Sequence, residues 1–117
     1  MEDKIIIYYN PSCSKCRETL AILENSGKEF EIIDYRKVPL TGNELRELVK
    51  KLGLSVHDIL RKDEPLAINL KLIKRKLTDD ELIDIVVKNP ILIQRPIVVR
   101  GEKALLCRPP ENVMKLL

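Results

Sequence analysis

Two cysteines separated by two residues, Cys13 and Cys16, stand in the run Asn10-Pro11-Ser12-Cys13-Ser14-Lys15-Cys16-Arg17, directly behind the apolar run Ile5 to Tyr9. A thiolate is the reactive form of cysteine. Where a strand hands over to a helix, the unpaired N–H groups of the first turn and the positive end of the dipole stabilise it. The spacing therefore predicts Cys13 at or just before a first helical turn as a nucleophile of lowered pKa, with Cys16 on the same face at a separation that permits a disulfide. Arg17, four residues on, adds a cation to that face. Zinc fits poorly, because one further cysteine, Cys107, and one histidine, His57, hardly supply a four-ligand set. No metal site is expected. Cys107, at the end of the last expected strand, reads as a small buried hydrophobe rather than a resolving thiol. Tyr9 reads as a core or rim residue, and His57 is not expected to be catalytic.

Three arginines form a second set: Arg61 in Ile59-Leu60-Arg61-Lys62, Arg95 in Ile93-Gln94-Arg95-Pro96, and Arg108 in Leu106-Cys107-Arg108-Pro109. A guanidinium is planar, permanently charged and bidentate, which suits oxyanions. Arg95 and Arg108 precede prolines, so their backbones are held extended and can aim the side chains. Spacing alone cannot bring the three together; a fold must. Pro96, at the start of a strand, is a candidate for a cis peptide bond.

The elements that would position these residues follow from pattern. Ile5 to Tyr9 is a short β-branched and aromatic run, read as a strand buried on both faces and ended by Asn10-Pro11. Ser14 to Ser26 is a helix with Leu20, Ile22 and Leu23 apolar and Gly27 as its stop. Phe30 to Tyr35 is a second strand, so residues 1–35 spell a βαβ unit with a right-handed crossover and parallel strands. Residues 40–89 read as a helical insertion. Thr41 with Glu44 and Thr78 with Glu81 form capping boxes at the starts of two helices, the first stopped by Gly53 and the second by Asn89-Pro90. Between them lie a helical turn near Ser55 to Leu60 and a solvated helix or loop over Lys62 to Lys76. Residues 90–117 return to strands, Pro96 to Val99 and Ala104 to Cys107, as a hairpin turning at Gly101, and a short helix from Glu111 to Leu117 closes the chain.

Composition bounds the function. The 117 residues, 44% hydrophobic and 33% charged, suit one globular domain able to bury a core without disulfides or structural metal. A net charge of +3 and 3% aromatic residues argue against nucleic-acid binding, so any anion site must be local. No run approaches the length of a membrane span. Three cysteines cannot all pair within the chain, which points to a reducing cytoplasm. The acidic start at Met1-Glu2-Asp3 and the short apolar run behind it do not make a signal segment.

These residues resemble the glutaredoxin-coupled arsenate reductase family. The likeness is carried by Asn10 to Leu20, by Asp79 to Val99 with its Asn89-Pro90-Ile91-Leu92-Ile93-Gln94-Arg95-Pro96-Ile97-Val98-Val99 stretch, and by Leu106-Cys107-Arg108-Pro109. It implies a thioredoxin-like α/β fold, a mixed sheet flanked by helices, with a helical insertion between the βαβ and ββα halves. It also implies Cys13 as nucleophile, Arg61, Arg95 and Arg108 as oxyanion-binding residues, Arg17 and Asn10 in support, and Pro96 as the cis proline. The implied reaction is reduction of arsenate to arsenite. The resemblance implies no bound prosthetic group, glutathione as cosubstrate and glutaredoxin or thioredoxin as the reductant partner, and a cytoplasmic monomer is expected.

Two positions depart from the family pattern. Tyr9 stands where the family usually has His, so activation would rest on the helix terminus and the arginines. Cys16 stands where Ser is common. As a possible resolving thiol it could form an internal disulfide with Cys13. That pair also keeps open a thiol-disulfide oxidoreductase of the same fold acting on another substrate, and a redox-sensing regulator of the Spx type that binds RNA polymerase.

Overall fold

The computed structural model describes residues 4–117; Met1 to Asp3, part of the expectation that no signal segment is present, lie outside the described residues. Chain contacts divide it into two compact units, one made of residues up to 38 together with 95–117, the other of residues 39–94. The expected helical insertion, 40–89, falls inside the second.

The first unit is built on a four-stranded sheet in the order β2-β1-β3-β4. β1 (Ile5–Tyr9) and β2 (Phe30–Asp34) run parallel, linked by α1 (Ser14–Asn25), as the βαβ reading requires. β3 (Ile97–Arg100) pairs antiparallel with β1 and with β4 (Lys103–Leu106), the hairpin turning at Gly101 with φ +60°. The expected mixed, thioredoxin-like sheet is therefore present. Ile5 and Ile7 are buried, whereas Ile6, Tyr8 and Tyr9 on this inner strand are only half-buried.

Ile5, Ile7, Leu23, Val98, Cys107, Val113 and Leu116 make one continuous core. α1 reaches it along Cys16, Thr19 and Leu23, a 3-then-4 spacing that puts all three on one face. That stripe lies one step round from the Leu20, Ile22 and Leu23 reading, because Cys16 and Thr19 count as inward residues. Thr19 tolerates full burial since its hydroxyl donates to the Lys15 carbonyl at 2.8 Å. α1 stops where Gly27 takes φ +74°, a conformation that costs a residue without Cβ least. The closing segment, Pro110–Leu116, packs on α1 and is a 3-10 helix. A proline at its start supplies no N–H, and the segment is too short to repay a full α-helical nucleus.

The second unit carries α2 (Gly42–Leu52), α3 (Pro65–Asn69) and α4 (Asp79–Lys88), with a 3-10 turn at Pro90–Leu92. Both capping boxes form: the Thr41 hydroxyl accepts the Glu44 N–H at 3.1 Å, and the Thr78 hydroxyl accepts the Glu81 N–H at 3.2 Å. α2 and α4 pack together, and Leu45 and Leu48 of the one and Leu82 and Val86 of the other are buried. The Lys62 to Lys76 stretch resolves into α3 and turns, with Lys74, Arg75 and Lys76 exposed to solvent.

The face assignment of α1 is testable by unfolding in urea. Leu23→Ala, at a fully buried site, should cost about 2–5 kcal/mol, and Leu20→Ala, at a half-buried site, roughly half of that or less.

Candidate functional site

The register of the sheet decides what meets. Tyr9, the last residue of β1, lies opposite Asp34, the last of β2, while Tyr8 lies opposite Ile97, the first of β3, and Ile97 opposite Leu106, the last of β4. One end of the sheet thus releases four segments: the Cys13 loop, Tyr35, the Arg95-Pro96 pair and the Cys107-Arg108 pair.

The loop after β1 is pinned before the helix begins. The Asn10 side chain, buried, accepts the Ser12 N–H at 2.9 Å, and the Asn10 carbonyl accepts the Cys13 N–H at 3.0 Å. Arg17 closes the loop from the helix side, its Nη1 donating to the Pro11 carbonyl at 2.9 Å. Cys13 is then the N-cap of α1, with extended backbone (φ −96°, ψ 122°). Its thiol makes no capping hydrogen bond in the neutral form, but the amides of the first turn face it.

Partial burial works against ionisation of Cys13. It is outweighed by the Cys16 N–H, the Arg95 guanidinium, the Cys16 thiol and the Lys15 N–H, and the net effect lowers the pKa. Cys16 behaves in the opposite way. It is fully buried on the core face, and burial, reinforced by the neighbouring Cys13, pushes its thiol up to about 12. Cys107 is likewise pushed up to about 12, by burial first and then by Cys16. The three cysteines are free thiols, one activated and two silenced.

Arg95 is the cation of this site. It precedes a cis peptide bond to Pro96, and Arg108 precedes a second cis bond, to Pro109. The first was expected from the sequence and the second was not. Burial works to lower the Arg95 pKa, but the influence of Tyr35 and Cys13 outweighs it and the net effect is upward. Arg95 Nε and Nη1 are buried and lack a hydrogen bond of good geometry among the described residues. Donors in that condition call for an acceptor, and an oxyanion supplies several. Arg108 is exposed, and its Nη1 donates to the Arg95 carbonyl at 3.0 Å, which ties the two arginines together.

Of the expected site residues, the structure brings Asn10, Cys13, Cys16, Arg17, Arg95, Pro96 and Arg108 together at one end of the first unit's sheet. Arg61 belongs to the second unit, where its Nη1 donates to the Ile91 carbonyl at 3.2 Å and pairs with Glu64 at 3.1 Å. His57 is in that unit too, 3.3 Å from Asp79. Tyr9 packs against the core. Tyr35 was missed as a site residue. Its signal was positional: it follows the strand parallel to β1 and so emerges beside the Cys13 loop. Among the described residues no cluster of His, Cys, Asp and Glu could hold a metal ion, and no helix is long and apolar enough to cross a membrane.

Residues 8–116 match the model of the ArsC family. An arsenate reductase of Escherichia coli (strain K12) is 46% identical over 113 residues, covering 97% of this chain and 80% of its own length. One of Haemophilus influenzae is 43% identical over 97% of this chain and 98% of its own. The solved structure of an arsenate reductase from Vibrio cholerae superposes with a TM-score of 0.94 at 42% identity, covering both chains in full.

The thiol assignments predict two pH dependences. Alkylation of Cys13 should show a midpoint below the ordinary thiol value of about 8.5, and Arg95→Gln should raise it. The second dependence comes from Cys16 and Cys107, which act on stability in the same sense. Between about 9, the unfolded value, and 12 the folded chain holds protons that the unfolded chain releases, so stability falls as pH rises. The slope should reach up to about 1.4 kcal/mol per pH unit for each thiol, and Cys107→Ala should flatten it in urea titrations.

Proposed function

The chain belongs to the ArsC family, and on that premise we propose that it is an arsenate reductase acting through the Cys13 thiolate and an arginine oxyanion site. The observation that carries the reading is the buried, unsatisfied edge of the Arg95 guanidinium beside a sulfur whose pKa is lowered. Arsenate placed there accepts hydrogen bonds from Arg95 and from Arg108, its neighbour through the Arg95 carbonyl.

Cys13 Sγ attacks As(V) and displaces hydroxide, forming a sulfur–arsenic bond while the guanidinium groups offset the charge on the oxyanion. A glutathione thiolate then attacks the Cys13 sulfur. The sulfur–arsenic bond breaks with its electron pair passing to arsenic, which leaves as arsenite, and a Cys13–glutathione disulfide remains. Glutaredoxin, or a thioredoxin in its place, takes the glutathionyl group and restores the thiolate. The cycle needs thiols and no prosthetic group, and one chain carries every assigned residue, so a monomer in a reducing cytoplasm suffices.

A second reading of the resolving step is favoured by the contact between the two thiols: Cys16 attacks Cys13 in place of glutathione and closes an internal disulfide. Its burial and pKa make it a slow nucleophile at neutral pH, so glutathione is the first reading. A partner-binding redox switch would have no use for the buried donors of Arg95.

Arsenite formation from arsenate, with the glutathione–glutaredoxin and thioredoxin systems compared, tests the whole. Cys13→Ser should lower turnover by a factor of ~1,000 or more, and Arg95→Lys should lower kcat/KM at least about tenfold, since an ammonium lacks the planar fork that matches two oxygens of one anion. Cys16→Ser should remain active with glutathione; loss of that activity would favour the internal disulfide. No arsenite with any thiol system sinks the assignment.

A further inference from the structure

We propose that Arg17 is the residue that binds glutathione: the edge of its guanidinium left free at the rim of the Cys13 loop grips the terminal carboxylate of the incoming peptide and so brings its thiolate to the Cys13 sulfur. The inference deepens the reading above and rests on it for glutathione as the attacking thiol.

A thiol from solvent reaches Cys13 on one side only. Cys16, fully buried, fills the core side of this turn, whereas Cys13 is half-buried and Pro11, Ser12, Ser14 and Arg17 around it are exposed. The Arg17 N–H donates to the Cys13 carbonyl at 3.2 Å, so the two residues stand one helical turn apart. The Arg17 side chain then folds back along the loop, where Nη1 donates to the Pro11 carbonyl at 2.9 Å. Pro11 is two residues before Cys13, at most about 7 Å of chain from it. In glutathione the terminal carboxylate lies one residue beyond the cysteine, a comparable reach.

The direction of the guanidinium is set. Its donors lie in one rigid plane, so a nitrogen fixed on a carbonyl orients the others. The bond to Pro11 occupies Nη1 and leaves the edge formed by Nε and Nη2. Arg36 uses that same edge to hold both oxygens of Asp34, at 3.1 and 2.9 Å. Among the described residues no carboxylate competes for the Arg17 edge; Glu18, next in the chain, pairs with Lys15 at 3.6 Å. Nor is the charge spent on the sulfur, where the spacing expects it. The groups that act most strongly on the Cys13 pKa are its own burial, the neighbouring amides, Arg95 and the Cys16 thiol, and Arg17 is not among them. An oriented, exposed guanidinium without an acidic partner, one turn from the nucleophile, matches a carboxylate bidentately, and a peptide thiol supplies one.

Glutathionylation of Cys13 reads the contact without arsenate. The Cys13 thiolate attacks one sulfur of oxidised glutathione, the S–S bond breaks, a Cys13–glutathione disulfide forms and a glutathione thiolate leaves. Hydroxyethyl disulfide reacts in the same way and carries no carboxylate. The ratio of the two rates, followed by mass, cancels any change in the ionisation or exposure of Cys13. Arg17→Gln should lower that ratio about tenfold or more, and should raise KM for glutathione in arsenate reduction more than it lowers kcat. Lys15→Gln, which removes a cation from the same turn, should leave the ratio within about twofold. A ratio unchanged by Arg17→Gln overturns the proposal. So does an equal fall in Lys15→Gln, because general attraction of charge rather than a contact would then be at work. If the ratio falls in Arg17→Gln alone and the native chain reduces no arsenate, the glutathione contact stands and the assigned substrate is lost.

Discussion

A half-buried guanidinium and a partly buried thiolate each need the other's charge. Arg95 has donors out of contact with water, and Cys13 ionises against the cost of its own burial. Put apart, each would be an unpaired charge in a medium that solvates it poorly. Put together, with the amides of a first helical turn adding to the positive potential, they stabilise one another. The rest of the first unit reads as the means of holding that pair in register.

The sheet does most of this work. A parallel β1–β2 pair joined through α1 places both carboxyl ends on one side, and an antiparallel β3 brings its own beginning to the same side. The Cys13 loop, the turn at Tyr35 and the Arg95-Pro96 pair therefore converge as a consequence of strand direction, without any further long-range contact being required to gather them. β4 adds Cys107 and Arg108 by returning antiparallel to β3. Cys107 then belongs to the core beneath the site, and its amide donates to the Pro96 carbonyl at 2.9 Å, fixing the segment that carries Arg95 from below.

This explains why part of the site was legible in the sequence. The CxxC after a strand, the two capping boxes, the hairpin and the two arginines before prolines are local signals, each set by residues within a few positions of one another. What escaped was set by register or by burial. Tyr35 looks like the last residue of a strand until β2 is known to end beside β1. Leu20 and Ile22 outrank Cys16 and Thr19 in apolarity, yet the helix turns the latter pair inward, because a thiol and a satisfied hydroxyl pack as well as they do. The second cis bond, at Arg108-Pro109, has no local signature that separates it from other X–Pro pairs.

Tyr9 gives the last constraint. It stands where the family pattern usually has an imidazole beside the nucleophile, and it is committed to the edge of the core. A histidine there would bring a group titrating near pH 6.5 into thiolate formation. Without one, activation of Cys13 falls to backbone amides, which do not titrate, and to Arg95, which stays charged throughout the physiological range. The ionisation of the sulfur is then governed by geometry rather than by a second proton, and whatever sets the placement of one guanidinium becomes part of how the thiol is ionised.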